Sequence, residues 1–130
     1  PDALIVAGDI FDRAVPPETA VRQFNAFLAR VAAETKTAIV LIAGNHDSGD
    51  RIAAWSTLSD ARRSLVRGAL SPTELPLILE DAHGPVAISA LPFGYERSAQ
   101  EIFANPEIKS PEDVVRAQLA AARTHIPDGA

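Results

Sequence analysis

Two short apolar runs, Ala3-Leu4-Ile5-Val6-Ala7 and Ala38-Ile39-Val40-Leu41-Ile42-Ala43, each end in a glycine followed at once by an oxygen-bearing side chain, Gly8-Asp9 in the first case and Gly44-Asn45 in the second. Their length, the absence of polar interruptions and the β-branched side chains fit strands covered on both faces, as in parallel sheets. Between them Ala20, Val21, Phe24, Phe27, Leu28 and Val31 recur at helical spacing, with Arg22, Gln23, Asn25 and Arg30 on the other face. Pro16-Pro17 stands ahead of this stretch as a helix-start signal. A strand, helix, strand order predicts an α/β fold. In open α/β sheets ligands bind beyond the carboxyl ends of strands, where loops converge, so Asp9 and Asn45 are expected to face one crevice.

Further along, a second helix is expected from about Arg51 to Arg63, followed by a proline-punctuated passage around Pro72 and Pro76. Pro76-Leu77-Ile78-Leu79 and Pro85-Val86-Ala87-Ile88-Ser89 read as two strands of a hairpin turning through Asp81-Ala82-His83-Gly84. Ser110-Pro111-Glu112-Asp113 has the form of a helix start, with a capping hydroxyl, proline at the first position and acids at the positive dipole end. Val115, Leu119 and Ala122 are the expected apolar stripe of that last helix. No repeat, low-complexity tract or linker divides the chain, so residues 1–130 are read as part of one domain. A first residue that is proline and the lack of any Met mark it, on this reading, as an internal excerpt truncated at both ends.

Composition narrows the function classes. The 130 residues are 47% hydrophobic, enough to build a core. A net charge of −5 lacks the basic footprint of a domain that holds nucleic acid by phosphate neutralisation alone, so a nucleic-acid partner needs metal ions or further segments to supply positive charge. Without Cys there is no disulfide framework and no thiolate metal site. No apolar run approaches the roughly 18 residues of a membrane span, and a cytoplasmic location is expected.

The chemistry lies in Gly8-Asp9-Ile10-Phe11-Asp12-Arg13 and Gly44-Asn45-His46-Asp47. A carboxylate oxygen can bridge two cations and an amide oxygen can ligate one, while glycine lets the backbone turn sharply beside the ions. His46, next to a ligand, can give a proton or hydrogen bond to a phosphate oxygen, and Asp12 can orient it. Each element alone has an ordinary reading: Asp9 as a turn residue, Asn45 as an adapter to left-handed backbone, His46 as a hydrogen-bonded loop side chain. Their recurrence at two strand ends, separated by one helix, favours a shared site.

Together these motifs resemble the G-D-x-x-D and G-N-H-D/E signatures of the calcineurin-like metallophosphoesterases. The passage Gly8 to Pro17, with Asn45 to Asp47 and the later Ala90-Leu91-Pro92-Phe93, is similar to the D subunits of bacterial SbcCD nucleases. The resemblance implies the four-layer αββα sandwich of that superfamily, of which this chain is a part, and a metal-dependent phosphodiesterase acting as a DNA exonuclease and endonuclease in repair. It implies Asp9 as the carboxylate bridging two divalent metals, manganese in this family, and Asn45 as a ligand of the second metal. His46 is implied to act on the scissile phosphate or leaving oxygen, with Asp12 as its orienting partner. Arg13 is a substrate-phosphate contact or a solvated loop charge, and Asp47 is turn-forming or outside the ligand set.

By the same resemblance the partners are an SbcC-type ATPase and duplex DNA, with the chain as a homodimer within a larger complex. The family pattern also has an Asp-x-His motif on an earlier strand and later Gly-His and Gly-His-x-His motifs, none of which occurs in place; the remaining ligands are expected outside these residues. Asp81-Ala82-His83 imitates the first in letters but falls in the hairpin turn, and His125 falls at a helix end. Two other classes stand beside this reading: a calcineurin-like hydrolase of phosphomonoesters or nucleotides, and a non-catalytic α/β scaffold module.

Overall fold

In the computed structural model, which describes residues 1–58 and 63–130, the two apolar runs are neighbouring parallel strands. β1 (Ala3–Ala7) pairs with β2 (Ala38–Ile42) so that Ala3 lies opposite Ala38 and Ala7 opposite Ile42. This register brings Gly8 and Gly44 to one edge of the sheet. The connection is α1 (Glu18–Glu34), which starts after Pro17, whose carbonyl accepts from the N–H groups of Ala20 and Val21. It stops at Thr35, whose backbone N–H and hydroxyl both donate to the Val31 carbonyl.

β2 is buried on both faces, as its unbroken apolar sequence requires. Leu41 and Ala43 belong to a core with Phe11, Ile52 and Val66, against which Val21, Phe24 and Leu28 of α1 pack. Ala38 and Val40 point the other way, into a core shared with Leu65, Leu77 and Ala90. Helix, parallel sheet and hairpin therefore form successive layers with β2 at the centre, the mixed α/β architecture expected. Full burial of Leu41 and Ile52 contributes about 1.5–3 kcal/mol each. β1 is more exposed, with Ile5 open to solvent.

β3 (Ser64–Arg67) pairs in parallel with β2, opposite Ile39 to Ile42. The sequence does not predict it, because Leu65 and Val66 between polar residues are too little apolar sequence to register as a strand. The hairpin occurs where expected, with β4 (Leu77–Asp81) antiparallel to β5 (Gly84–Ile88) and Leu77 opposite Ile88. α3 (Glu96–Ile102) is short and has no side-chain cap, so it too leaves no sequence signal. The expected helix over Arg51 to Arg63 is replaced by α2 (Gly49–Ala54) and a single 3-10 turn over Trp55–Leu58; its expected continuation through 59–62 lies outside the described residues, and Arg63 is in a turn.

The last helix, α4 (Pro111–Arg123), begins at Ser110 with a reciprocal capping box. The Ser110 hydroxyl accepts from the Asp113 N–H at 3.2 Å, and the Asp113 carboxylate accepts from the Ser110 and Lys109 N–H groups, each at 3.0 Å. This start sets the helical phase, and the buried positions are Val114, Gln118 and Ala122. Val115 and Leu119, expected in the stripe, are instead 47% and 40% exposed, because the face that meets Leu70, Ala99 and Ile108 runs one residue earlier. In α1 the same comparison removes Phe27, which lies at the solvent edge of its stripe.

A buried ion pair secures the far side of the sheet. Glu74 is almost wholly buried, accepts from Arg67 Nε at 2.6 Å through Oε2, and accepts from the Ala90 N–H at 3.4 Å through Oε1. Arg67 also donates to the Leu75 carbonyl at 2.8 Å. Glu74→Ala leaves the guanidinium without its counter-charge and is expected to cost about 3 kcal/mol in urea denaturation; a loss below about 1 kcal/mol would show that water already compensates the pair.

Asp113 supplies a pH test. The Lys109 N–H, then the Ser110 hydroxyl, hold its carboxyl below the ordinary value of 3.8. A depressed folded value means stability present above 3.8 and lost as pH falls through the folded value. Asp113→Asn should lower the urea midpoint at neutral pH and converge with the wild type in strong acid. A difference that stays constant with pH would contradict it.

Candidate metal centre

The backbone at the end of β1 takes two left-handed residues in succession, Gly8 at φ 82° and Asp9 at φ 46°. Glycine adopts this region freely; for aspartate it is uncommon and is held only where the surroundings enforce it. The turn carries the Asp9 side chain across to the loop after β2. A methyl group at Gly44 would collide with the Asp9 carboxylate, and one at Gly8 would stand 3.0 Å from Gly44 Cα. The glycines at both strand ends are thus what lets the two loops touch.

Asp47 locks this contact. Its Oδ2 accepts from the Gly44 N–H at 2.8 Å and the Ile10 N–H at 3.1 Å, and its Oδ1 accepts from the Phe11 N–H at 3.0 Å. One carboxylate therefore joins the loop of β2 to the loop of β1 through three backbone donors, each a charge-assisted bond of the stronger kind. Its oxygens are engaged inward, which agrees with a turn-forming role.

Asp9 is differently disposed. Oδ1 accepts from the His46 N–H at 3.2 Å, and Oδ2 has no hydrogen-bond partner among the described residues. Asn45 sits between Gly44, which packs against Asp9, and His46, which bonds to it; its exposed side chain makes no hydrogen bond among the described residues. The parallel register thus brings Asp9, Asn45 and His46 to one sheet edge. The His46 ring lies with Nδ1 3.1 Å from the backbone carbonyl of Asp12. A carbonyl only accepts, so Nδ1 carries the proton in this contact and Nε2 is the nitrogen left for a ligand or substrate.

The orienting contact from Asp12 comes from its main chain. The Asp12 carboxylate is engaged by Arg13, with Nη2 2.9 Å from Oδ2. Hydrogen bonding from the guanidinium, chiefly, holds the Asp12 carboxyl below its usual range and raises Arg13. Both side chains are solvent-exposed, and such a pair contributes little to stability, so Arg13 is readily available to another anion.

The remaining side of the edge is closed by residues after β5. The Phe93 N–H donates to the Ala43 carbonyl at 2.9 Å, one residue before Gly44. His83 is exposed in the hairpin turn, its N–H bonded to Asp81 Oδ1 at 2.6 Å, an Asx turn that accounts for the Asp81-Ala82-His83 letters. His125 lies at the end of α4, with Nδ1 3.2 Å from the Ala121 carbonyl. No group of three or more His, Cys, Asp and Glu side chains able to hold a metal comes together among the described residues. The free Asp9 oxygen and the Asn45 amide are nonetheless hard oxygen donors suited to Mg²⁺, Mn²⁺ or a similar divalent ion, and they fit one part of a metal centre, with His46 beside them.

The calcineurin-like phosphoesterase family model matches residues 1–114. The D subunit of the nuclease SbcCD from Bacillus subtilis (strain 168) is 35% identical over 106 residues, covering 80% of this chain and 27% of that protein. Its counterpart from Staphylococcus epidermidis is 26% identical over 110 residues, 85% of this chain and 28% of that protein. The counterpart from Escherichia coli (strain K12) is 47% identical over 47 residues, 36% of this chain and 12% of that protein. The chain spans less than a third of the length of the curated relatives it matches.

The Asp47 clamp makes a stability prediction. Asp47→Ala removes the acceptor of three backbone N–H groups, of which water can satisfy some, and should cost about 2–4 kcal/mol in denaturant unfolding. Asp47→Asn, keeping one acceptor oxygen, should fall between that variant and the wild type. Equal stability of all three proteins would mean that the clamp does not hold the loops.

Proposed function

We propose, for a chain that belongs to the calcineurin-like phosphoesterase family, that it forms part of a two-metal phosphodiesterase that cleaves DNA, as the nuclease component of an SbcCD-type repair and recombination complex. The observation that carries this reading is the free carboxylate oxygen of Asp9, held in a left-handed turn against the loop that bears Asn45 and His46. The SbcCD nuclease relatives support the nuclease assignment.

In this reading Asp9 and Asn45 would hold the divalent ions, with Mn²⁺ as the metal. Two such ions, when bound, would supply activation of the attacking water and neutralisation of charge developing on the phosphoryl group. His46, its Nδ1 proton committed to the Asp12 carbonyl, presents Nε2 to the phosphoryl or leaving oxygen. Asp12 acts through that carbonyl as a positioning residue. Arg13 exchanges its exposed pairing with Asp12 for a substrate phosphate. The other ligands belong to polypeptide outside residues 1–130. The partners are an SbcC-type ATPase and DNA, the assembly contains a homodimer, and the location is cytoplasmic; no helix among the described residues is long and apolar enough to cross a membrane.

The full-length protein, with the ligands outside residues 1–130, should degrade linear duplex DNA with Mn²⁺ and leave p-nitrophenyl phosphate largely intact, and residues 1–130 alone should do neither; the reverse preference in the full-length protein would overturn the nuclease assignment in favour of a phosphomonoesterase. Asp9→Ala should abolish both metal binding and cleavage. His46→Ala should keep Mn²⁺ affinity by calorimetry within a few-fold and lower kcat roughly 10²- to 10⁴-fold, the range of a lost general acid. Loss of an ion in that variant would make His46 a metal ligand instead.

A further inference from the structure

The loop that carries Asn45, His46 and Asp47 leaves the sheet after Ala43 and enters α2 at Gly49. Both of its ends stand on the end of β3. At the first, the Ala43 N–H donates to the Arg67 carbonyl at 2.9 Å. At the second, Gly49 meets Gly68, the residue after Arg67, backbone against backbone. A methyl group on Gly68 would fall on the Gly49 carbonyl oxygen and stand 2.6 Å from the Ala53 nitrogen, and a methyl group on Gly49 would fall on the Gly68 carbonyl oxygen.

The support under this contact is firm. β3 stays in register with β2 as far as Arg67 opposite Ile42, and the Arg67 side chain is fixed by Glu74 and by the carbonyls of Val66 and Leu75. The Ser48 side chain makes no capping bond at the start of α2, so the backbone contact is what seats that end of the helix. Neither Gly49 nor Gly68 has a positive φ, and alanine is the better helix former in the first turn. What glycine supplies at both positions is closeness.

We infer that Gly68 is a positioning residue for the phosphoesterase site, a backstop that acts through Gly49 to set where the His46-Asp47 loop stands relative to Asp9. This deepens the function proposed above and rests on its site assignment. Asp47 ties the loop to the β1 side through the Ile10 and Phe11 N–H groups, and the His46 N–H reaches Asp9 at 3.2 Å. Gly68 bears on the same loop from the β3 side. A methyl group there would push the first turn of α2 away, and Ile52, wholly buried one turn on, anchors the rest of the helix, so the displacement is taken up in the loop. Misplacing a reacting group by about 1 Å can cost roughly 10²-fold in rate.

The test compares Gly68→Ala and Gly49→Ala with Gly84→Ala in the full-length protein. Gly84 has φ 122° and open space around it in the hairpin turn, so its alanine variant strains the fold away from the site. Without metal, the Gly44, Ile10 and Phe11 N–H groups should lose protection from amide hydrogen exchange in the first two variants and keep it in the third. With Mn²⁺ and linear duplex DNA, kcat per folded molecule should fall roughly 10- to 100-fold in the first two while KM changes little, and Gly84→Ala should keep the wild-type kcat. A folded Gly68→Ala or Gly49→Ala protein with wild-type kcat would overturn the inference, as would a fall in kcat with protection kept. If Gly68→Ala does not fold, Gly49→Ala carries the test; failure of both to fold would assign the contact to stability alone and overturn the positioning role. A wild type that hydrolyses p-nitrophenyl phosphate in place of DNA would sink the nuclease reading alone, and the variants would then be read on that ester. A wild type that hydrolyses neither would overturn both.

Discussion

The Asp47 carboxylate is the interaction on which the site geometry rests. It gathers the N–H groups of Gly44, Ile10 and Phe11, donors that would otherwise compete for water at the mouth of the crevice. Because two of them belong to the loop of β1 and one to the loop of β2, the clamp converts two flexible strand ends into one rigid body. The left-handed backbone of Asp9 is tolerated only in such a setting. A carboxylate suits the task, since its two oxygens accept several donors without rotation of the side chain.

Below the clamp, the parallel register of β1 and β2 decides which residues can meet. Ala7 lies opposite Ile42, so Gly8 arrives level with Ala43 and Gly44 level with Asp9, and the missing side chains of the two glycines leave room for direct contact. Burial of β2 between two cores fixes the strand against slipping, since a one-residue shift would turn Leu41 and Val40 to the wrong faces. The rigidity of the sheet is thereby passed to Asp9 and His46.

Much of this is legible in the sequence, for reasons that differ by element. β2 announces itself because burial on both faces forces an unbroken apolar run, and α1 because the stripe it packs on that core recurs at helical spacing; β1 carries the same apolar pattern although Ile5 is open to solvent, and the hairpin is marked by its turn residues. Pro111 and Ser110 mark α4 through backbone chemistry that is local and therefore readable. The phase of its buried face is not, because whether Val114 or Val115 points inward depends on where Leu70 and Ala99 lie. β3 escapes notice for a related reason: Leu65 and Val66 become a strand only beside β2. At the site, the residue types and their placement at strand ends can be read, whereas the main-chain carbonyl of Asp12 facing His46 carries no sequence signal, since every residue has a carbonyl.

In the proposed reaction that carbonyl also bears on proton traffic. With Nδ1 turned to the main-chain oxygen of Asp12, Nε2 is the ring nitrogen left to the substrate, and the residue is exposed. A proton given up at Nε2 in that reaction is replaced from bulk water and buffer, so the small molecules dissolved around the protein, along with the protein itself, take part in setting how quickly the site is ready again.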